Sequence, residues 1–547
     1  MVDIITAEVI RGALTYTAEE MGITLRNAAY SPNIKERMDH SCAIFDKKAR
    51  LLAQAEHIPV HLGSLVYGVK EGLKKIGELE EGDMIAYNDP YISGTHLPDL
   101  TLVAPIFYKG EIVAYVANKA HHSDIGGKVP GSMPINSKEL FEEGLVLPPL
   151  KILEKGKIKD EILQIIERNV RTPKVTLGDL RAQIASNHLG NRRVLELMDR
   201  YGYEKFLEAS DYIMDRSELL LKSRIEKLPK GSWEAEDYME STGVEEKRMK
   251  IKVRIDVYKD EISFDYEGTH DQVKAPINAV YGVTLAGIYY TLKCVIEPEL
   301  DINDGAFRPI KIKVPLGSLL NPIPPAPVAL GNVETSQRNV DVLMRAFSKF
   351  LPDKVCAACQ GTMNNLLIGG YDDIRKKFWT FYETIGGGYG ARKGLDGVDG
   401  VQCHMTNTMN TPIEVIESEF PLIVTRYKLR ANSGGAGKWR GGMGIERAFK
   451  LIAREATVTF IAERHKIRPW GLFGGKEGAP GELYLIKRGK KVRLKGKCSI
   501  KMERGDEIVI KTPGGGGYGE PKERDKKFLL KDLEDGLISR IKFNPNS

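Results

Sequence analysis

"NDPYISGTHLPDLTLVAPIF", residues 88–107, decides how the N-terminal part of this chain reads. A turn punctuated by Gly94 and Pro98 places His96 and Asp99 three apart, and the apolar run "LTLVAPIF" follows at once. A short apolar run bounded by turn residues is the pattern of a buried strand, so both side chains sit where a loop enters a sheet. Working outward, "MIAYN" before it and "EIVAYVANKA" after it read as neighbouring strands. "SCAIFDKKARLLAQ", residues 41–54, reads as a hairpin turning at "DKKAR". "SLVYGVKEGLKKIGELEEGD" is a helix with an acidic end, and residues 4–29 show helical spacing of Ile4, Ile5, Val9, Ile10, Leu14, Met21 and Leu25.

Beyond residue 156 the period changes twice. Residues 157–228 are helical in pattern, as an arm or a packed layer, and "KIKVRIDVYKDEISFDYEG" then alternates as a hairpin turning at "YKDE". The fold class expected is α+β (mixed α/β) and multidomain. Its regions are 1–156 with the histidine motifs, a helical segment 157–228, a central α/β region 229–428 with glycine-rich loops, a β-rich portion 429–520, and a tail 521–547 reading as a surface helix or partly ordered.

At 547 residues the chain exceeds what one core normally serves. Lys and Arg exceed Asp and Glu by six and are interleaved with them, so no nucleic-acid footprint is expected. Six cysteines are too sparse for a secreted disulfide framework, the N-terminus lacks signal-peptide character, and no apolar run approaches the roughly eighteen residues of a membrane span. A cytoplasmic protein without membrane partners is the expectation.

Six of the ten histidines, His40, His57, His61, His96, His121 and His122, lie between residues 40 and 122, at strand ends or in turns. Such positions let side chains converge on one rim of a rigid sheet. Zinc or manganese is held by imidazole nitrogen with carboxylate oxygen, and His96, Asp99 and one of the "HH" pair would supply that set. The plainer alternative is a histidine satisfied by loop hydrogen bonds. "EHIPVHLG" reads as structural, with Pro59 fixing a turn and His57 and His61 bonding backbone carbonyls. Asp39, beside His40, reads as a ligand, an orienter of ligands or a turn cap.

"CAAC" at Cys356–Cys359 has no second pair beside it, so buried free thiols are expected. "ETIGGGYGARKG" lacks the Gly-Lys-Ser/Thr ending of a phosphate loop, so the chain shows no ATP site of its own. Its glycines, like those of "SGGAGKWRGGMG" and "TPGGGGYG", suit tight turns or close approach of a substrate or a neighbouring chain.

Taken together, "ERMDHSCAIFD", "LLAQAEHIPVHLGS", "GTHLPD", "ANKAHHSDIGGKVPGSMP", "EEGLVLPPLKI", "GNVETSQR", "ETIGGGYGARKGLDG", "RYKLRANSGGAGKWRGGMG" and "TPGGGGYG" resemble the hydantoinase B family, from about residue 3 to residue 520. That family includes B components of ATP-dependent hydantoinases and lactamases, half of 5-oxoprolinase, and components of ketone carboxylases. The resemblance implies a separate A-type partner that binds ATP and Mg and phosphorylates a cyclic amide or ketone, in a hetero-oligomer such as (AB)2. It further implies a divalent metal, zinc or manganese, on His96, Asp99 and His121, with Asp39 as an additional ligand. The activated ring carbonyl of a hydantoin, N-methylhydantoin or 5-oxoproline would be hydrolysed there. His122 and Asp124 are candidates to move protons or orient ligands, or else strand-end hydrogen bonders. The other readings are the matching component of a ketone carboxylase and a non-catalytic structural component. His40 departs from the family pattern, where an aromatic is commoner, and "DKKARL" replaces a turn that usually holds glycine.

Overall fold

The computed structural model describes residues 3–55 and 57–539 of a mixed α/β, multidomain chain. Asp3 starts α1 (Ile4–Ala28) by accepting the free N–H groups of Ile5 and Thr6. Ala7, Ile10, Leu14, Met21 and Leu25 then fall on one buried stripe. The expected hairpin is β1 (His40–Asp46) and β2 (Leu51–Ala55), and the helix after it is α2 (His61–Ile76). Next come β3 (Met84–Tyr87), β4 (Asp99–Tyr108), β5 (Glu111–His121), β6 (Leu150–Glu154) and β7 (Lys157–Ile158). These seven strands form one sheet in the order β2-β1-β5-β4-β3-β6-β7, antiparallel at every pair.

β1 and β2 are buried along their whole length, because helices cover the sheet on both sides. The helical stretch resolves into α3 (Asp160–Asn169), α4 (Pro173–Tyr201) and α5 (Tyr203–Glu226). It is a packed layer and not an arm: α4 lies on β4 and β5, and α1 packs on α4, α5, β1 and β2. On the opposite side α2 is crossed by α6 (Tyr281–Val295), which in turn touches α7 (Ser336–Phe347). One hydrophobic core joins these elements with a second sheet, β11-β10-β9-β8. Those strands are β8 (Gly231–Met239), β9 (Met249–Tyr258), β10 (Glu261–Asp265) and β11 (Ile310–Lys313), with the β9–β10 turn at "YKDE" as expected.

From residue 365 onward the chain builds a four-stranded and a five-stranded sheet around a second core. The glycine-rich loops meet between them: a Cβ on Gly441 would stand 1.9 Å from the Gly515 carbonyl oxygen. They therefore serve close approach of the chain to itself. Cys356, Cys359 and Cys403 are buried free thiols in one small cluster, as expected for the "CAAC" pair. The tail carries a helix at Lys526–Glu534, and its last expected residues, from 540 on, lie outside the described residues. No helix among the described residues is long and apolar enough to cross a membrane.

One irregular element points toward the histidine motifs. Residues Gly331–Thr335 form a single π-helical turn leading into α7, and a Cβ on Gly331 would stand 1.8 Å from the carbonyl oxygen of Asn278. Single π turns recur beside functional sites, because the extra residue re-aims a side chain. Gly331→Ala should lower the unfolding free energy by about 1–3 kcal/mol, as overpacking at rigid backbone does, measured by urea denaturation. An unchanged midpoint would mean that the turn relaxes freely.

Candidate metal centre

The β4–β5 ladder pairs Asp99 with His121, and the β1–β5 ladder pairs His40 with Ala120. Three neighbouring strands therefore end together: β4 begins at Asp99, β5 ends at His121, and Asp39 precedes β1. The His121 N–H donates to the Asp39 carbonyl at 3.0 Å. His96 reaches the same corner from the turn before β4, with Nε2 3.4 Å from Asp99 Oδ1. The two imidazoles, His96 and His121, lie 5.0 Å apart between ring centres.

Ligand atoms of His96, Asp99 and His121 lie within 4.8 Å of one another, and among the described residues no other group of His, Cys, Asp or Glu converges in this way. All three residues are at most 3% exposed. His96 Nε2, Asp99 Oδ1 and His121 Nε2 are each buried without a well-formed hydrogen bond. Three orphaned donor atoms of this chemistry fit a divalent cation, since polar atoms in such a place are otherwise costly. Burial alone would raise the Asp99 carboxyl, but His96 and His61 outweigh it and hold it well below the usual range. Burial holds His121 neutral, as a ligand must be. For His96, the Asp99 carboxylate overcomes burial and raises the pKa.

The surroundings fix these groups. His96 Nδ1 bonds the Ala329 carbonyl at 2.9 Å. His121 Nδ1 faces Asn33 Nδ2 at 3.2 Å, and its ring stacks on Tyr382 at 4.7 Å and 18°. Arg37 lies over Tyr382 and donates to Asn33 Oδ1, the Tyr382 carbonyl, Thr384 and Thr408. Asn332, from the π turn, points Nδ2 at Asp99 Oδ2 at 3.4 Å. Asp39 is buried beside the three; burial pushes its carboxyl up to about 7 against the pull of Arg37. A cleft of about 460 Å³ opens next to it, lined by Met38, His57, Gln402, Thr408 and Asn410 among others.

The other candidates make different contacts. His122 bonds Gln183 of α4 at 2.8 Å. Both oxygens of Asp124 are occupied by the Gly126, Gly131 and Arg171 backbone N–H groups and the Arg171 guanidinium. These are the contacts of strand-end hydrogen bonders. His57 and His61 do not bond backbone carbonyls as expected. His57 pairs with Glu19 at 3.0 Å, while His61, the first residue of α2, bonds Ser41 and stands 3.6 Å from Asp99 Oδ2. Spacing in the sequence does not mark His61, Asn33, Asn332 or Arg37 as members of this corner. The motifs "ERMDHSCAIFD", "LLAQAEHIPVHLGS" and "GNVETSQR" contain Arg37, His61 and Asn332, but nothing in them says that these side chains reach the corner.

A model of the family Hydantoinase B/oxoprolinase matches residues 3–521. The chain belongs to that family. 5-Oxoprolinase 1 of Arabidopsis thaliana is 39% identical over 94% of the chain, which spans 42% of that longer protein. A Pseudomonas sp. protein assigned as the B component of a D-/L-hydantoinase is 34% identical, covering 99% of this chain and 94% of its own length. The ATP-dependent caprolactamase structure from Pseudomonas jessenii superposes with a TM-score of 0.92 at 29% identity, over 98% of this chain and 95% of that one. An acetone carboxylase chain shares the fold with a TM-score of 0.92 at 21% identity, over 98% of this chain and 78% of that one.

Lys119 of β5 supports this corner in an unusual way. Fully buried, it donates to the Ser93 carbonyl at 2.6 Å and to Thr95 Oγ1 at 3.1 Å, and burial pushes its pKa down to about 7. An amine so placed holds the turn that carries His96 at an expense in stability. Lys119→Met should leave the unfolding free energy within about 2 kcal/mol, because relief of the buried amine offsets the two acceptors left unpaired. Zinc affinity should fall about tenfold. Calorimetric titration with zinc beside thermal melts checks both, and unaltered affinity would free the turn from Lys119.

Proposed function

We propose that this chain is the metal-bearing B component of an ATP-dependent cyclic-amide hydrolase, acting on a hydantoin, N-methylhydantoin or 5-oxoproline type of ring after an ATP-binding A-type partner has phosphorylated the ring carbonyl. The observation that carries this reading is the convergence of three orphaned donor atoms, His96 Nε2, Asp99 Oδ1 and His121 Nε2, at one strand-end corner. His96, Asp99 and His121 would hold a zinc or manganese ion, with Asp39 beside them. Such an ion acts as a Lewis acid and makes water nucleophilic near neutral pH. Relatives named for 5-oxoproline and hydantoin support the ring class, and the caprolactamase, at higher identity than the acetone carboxylase, favours amide hydrolysis over ketone carboxylation.

The chain's own residues do the rest. Asp99, kept ionised by His96 and His61, supplies fixed negative charge to the cation. The Ala329 carbonyl accepts from His96 Nδ1–H, which leaves the His96 Nε2 lone pair directed inward, while Asn33 Nδ2 and the Tyr382 ring hold the His121 imidazole in place. Tyr382 closes one side with an aromatic face and excludes water there. The cleft whose wall includes Met38, the residue before Asp39, is lined by hydroxyl, amide, thioether and imidazole groups.

Three outcomes are expected. The purified chain should hold about one zinc or manganese by elemental analysis and hydrolyse neither ATP nor a cyclic amide until its A-type partner is supplied. With the partner, Asp99→Asn should slow ring opening at least about tenfold while ADP release continues. Equal, undiminished rates would remove Asp99 from the reaction. Zinc affinity should also rise with pH between about 6 and 8, because protons on Asp39, near 7, and on His96, raised by Asp99, compete with the cation. Each displaced proton contributes up to about tenfold per pH unit; a flat profile in a competition titration would show that neither group loses a proton on binding.

A further inference from the structure

Glu143, in the "EEGLVLPP" stretch, is a wholly buried carboxylate remote in sequence from the histidine motifs. It accepts from the Ser137 hydroxyl at 2.9 Å, the Val328 N–H at 3.1 Å and the Ala329 N–H at 3.0 Å. Ala329 is the residue whose carbonyl bonds His96 Nδ1 at 2.9 Å. A single residue thus links the carboxylate, through its N–H, to the imidazole, through its C=O. Burial pushes the Glu143 carboxyl up to about 7 despite these donors, so an acid group here works against folding stability. Pro325 accepts from Leu140 and Ala326 from the Tyr91 hydroxyl, while the Leu330 N–H, which shares a peptide plane with the Ala329 carbonyl, donates to Pro276, so Glu143 anchors Ala329 on its N-terminal side and Pro276 on its C-terminal side. Only the Val328–Ala329 peptides depend on Glu143.

We propose that Glu143 is a positioning residue for His96: by clamping the Val328 and Ala329 N–H groups it anchors one side of Ala329, as Pro276 anchors the other through Leu330, and so keeps the Ala329 carbonyl in place as acceptor for His96 Nδ1–H, with Nε2 directed at Asp99 and the cation. The inference rests on the proposed metal site for its effect on binding, and on the chain alone for its effect on the imidazole. An imidazole fixed with the proton on Nδ1 offers its Nε2 lone pair without rearrangement. An unclamped ring must first choose its tautomer and orientation.

The test compares wild type with Glu143→Ala, Glu143→Gln and Ser137→Ala after chelator treatment. Zinc is titrated against a chromophoric chelator and the Co2+ absorption band is recorded. Glu143→Ala should bind zinc about 10–100-fold more weakly, with an altered Co2+ band. Glu143→Gln, which keeps one oxygen for the Ala329 N–H, should recover part of the affinity and also stands in should the alanine variant fail to fold. Ser137→Ala, which removes the one contact that does not lead to His96, should bind like wild type. A metal-free arm, recorded at alkaline pH where the His96 ring is neutral, follows its nitrogen resonances in 15N-histidine-labelled protein: Nδ1 should be the protonated nitrogen in wild type and lose that preference in Glu143→Ala. Wild type that binds no metal overturns the proposed function, while the nitrogen spectra still judge Glu143. Unaltered zinc affinity, or an unaltered His96 tautomer in the alanine variant, overturns the role given to Glu143, as does a Ser137→Ala variant as impaired as Glu143→Ala.

Discussion

The antiparallel register that sets Asp99 opposite His121 is the constraint on which the rest of the site depends. Side chains in a strand alternate between faces, so a slip of one residue between β4 and β5 would send one partner to the other side of the sheet. The register is fixed from both flanks. β5 is also paired along its length with β1, which brings in Asp39 by a direct backbone bond to His121. The helices on both faces demand that apolar residues fill both sides of these strands.

Concentrating three imidazoles, two carboxylates and an amine in a buried corner opposes folding, and the surrounding architecture shows how the opposition is contained. Each charged or tautomeric group is given one fixed partner outside the corner: Ala329 for His96, Asn33 for His121, Ser93 and Thr95 for Lys119. The atoms left over are those that point inward. Partners come from backbone carbonyls and neutral amides more than from counter-charges, which keeps the corner's own negative charge on Asp99 and Asp39 available to a cation.

Much of the fold is legible in the sequence because period and punctuation report local structure. The hairpin at "DKKAR", the helical character of residues 157–228 and the turn at "YKDE" stand where spacing puts them, although the helices there number three and break at Gly202, which the spacing does not mark. His96, Asp99 and the first of the paired histidines, His121, come together as the motifs suggest. The rest of the corner is not legible, because its supports reach across more than two hundred residues: Asn332 to Asp99, Ala329 to His96, Tyr382 to His121. Spacing carries no information about such contacts. His61 reads as a turn residue because Pro59 dominates its surroundings, whereas the turn is what starts α2 and swings the imidazole toward Asp99.

Arg37 gives the corner a mechanical property. Its guanidinium is fully buried, and its hydrogen bonds run only to neutral oxygens, on one side to Asn33 behind His121 and on the other to Tyr382, Thr384 and Thr408. An ionised group in that position is solvated by the protein alone. Moving the 406–410 segment outward would take the Thr408 acceptor from this buried charge, and leaving a buried ion short of partners is costly. The histidine-bearing sheet and the strands beyond residue 365 are thus locked by ion solvation as well as by packing, and the latch sits one side chain away from a ring nitrogen of the candidate centre.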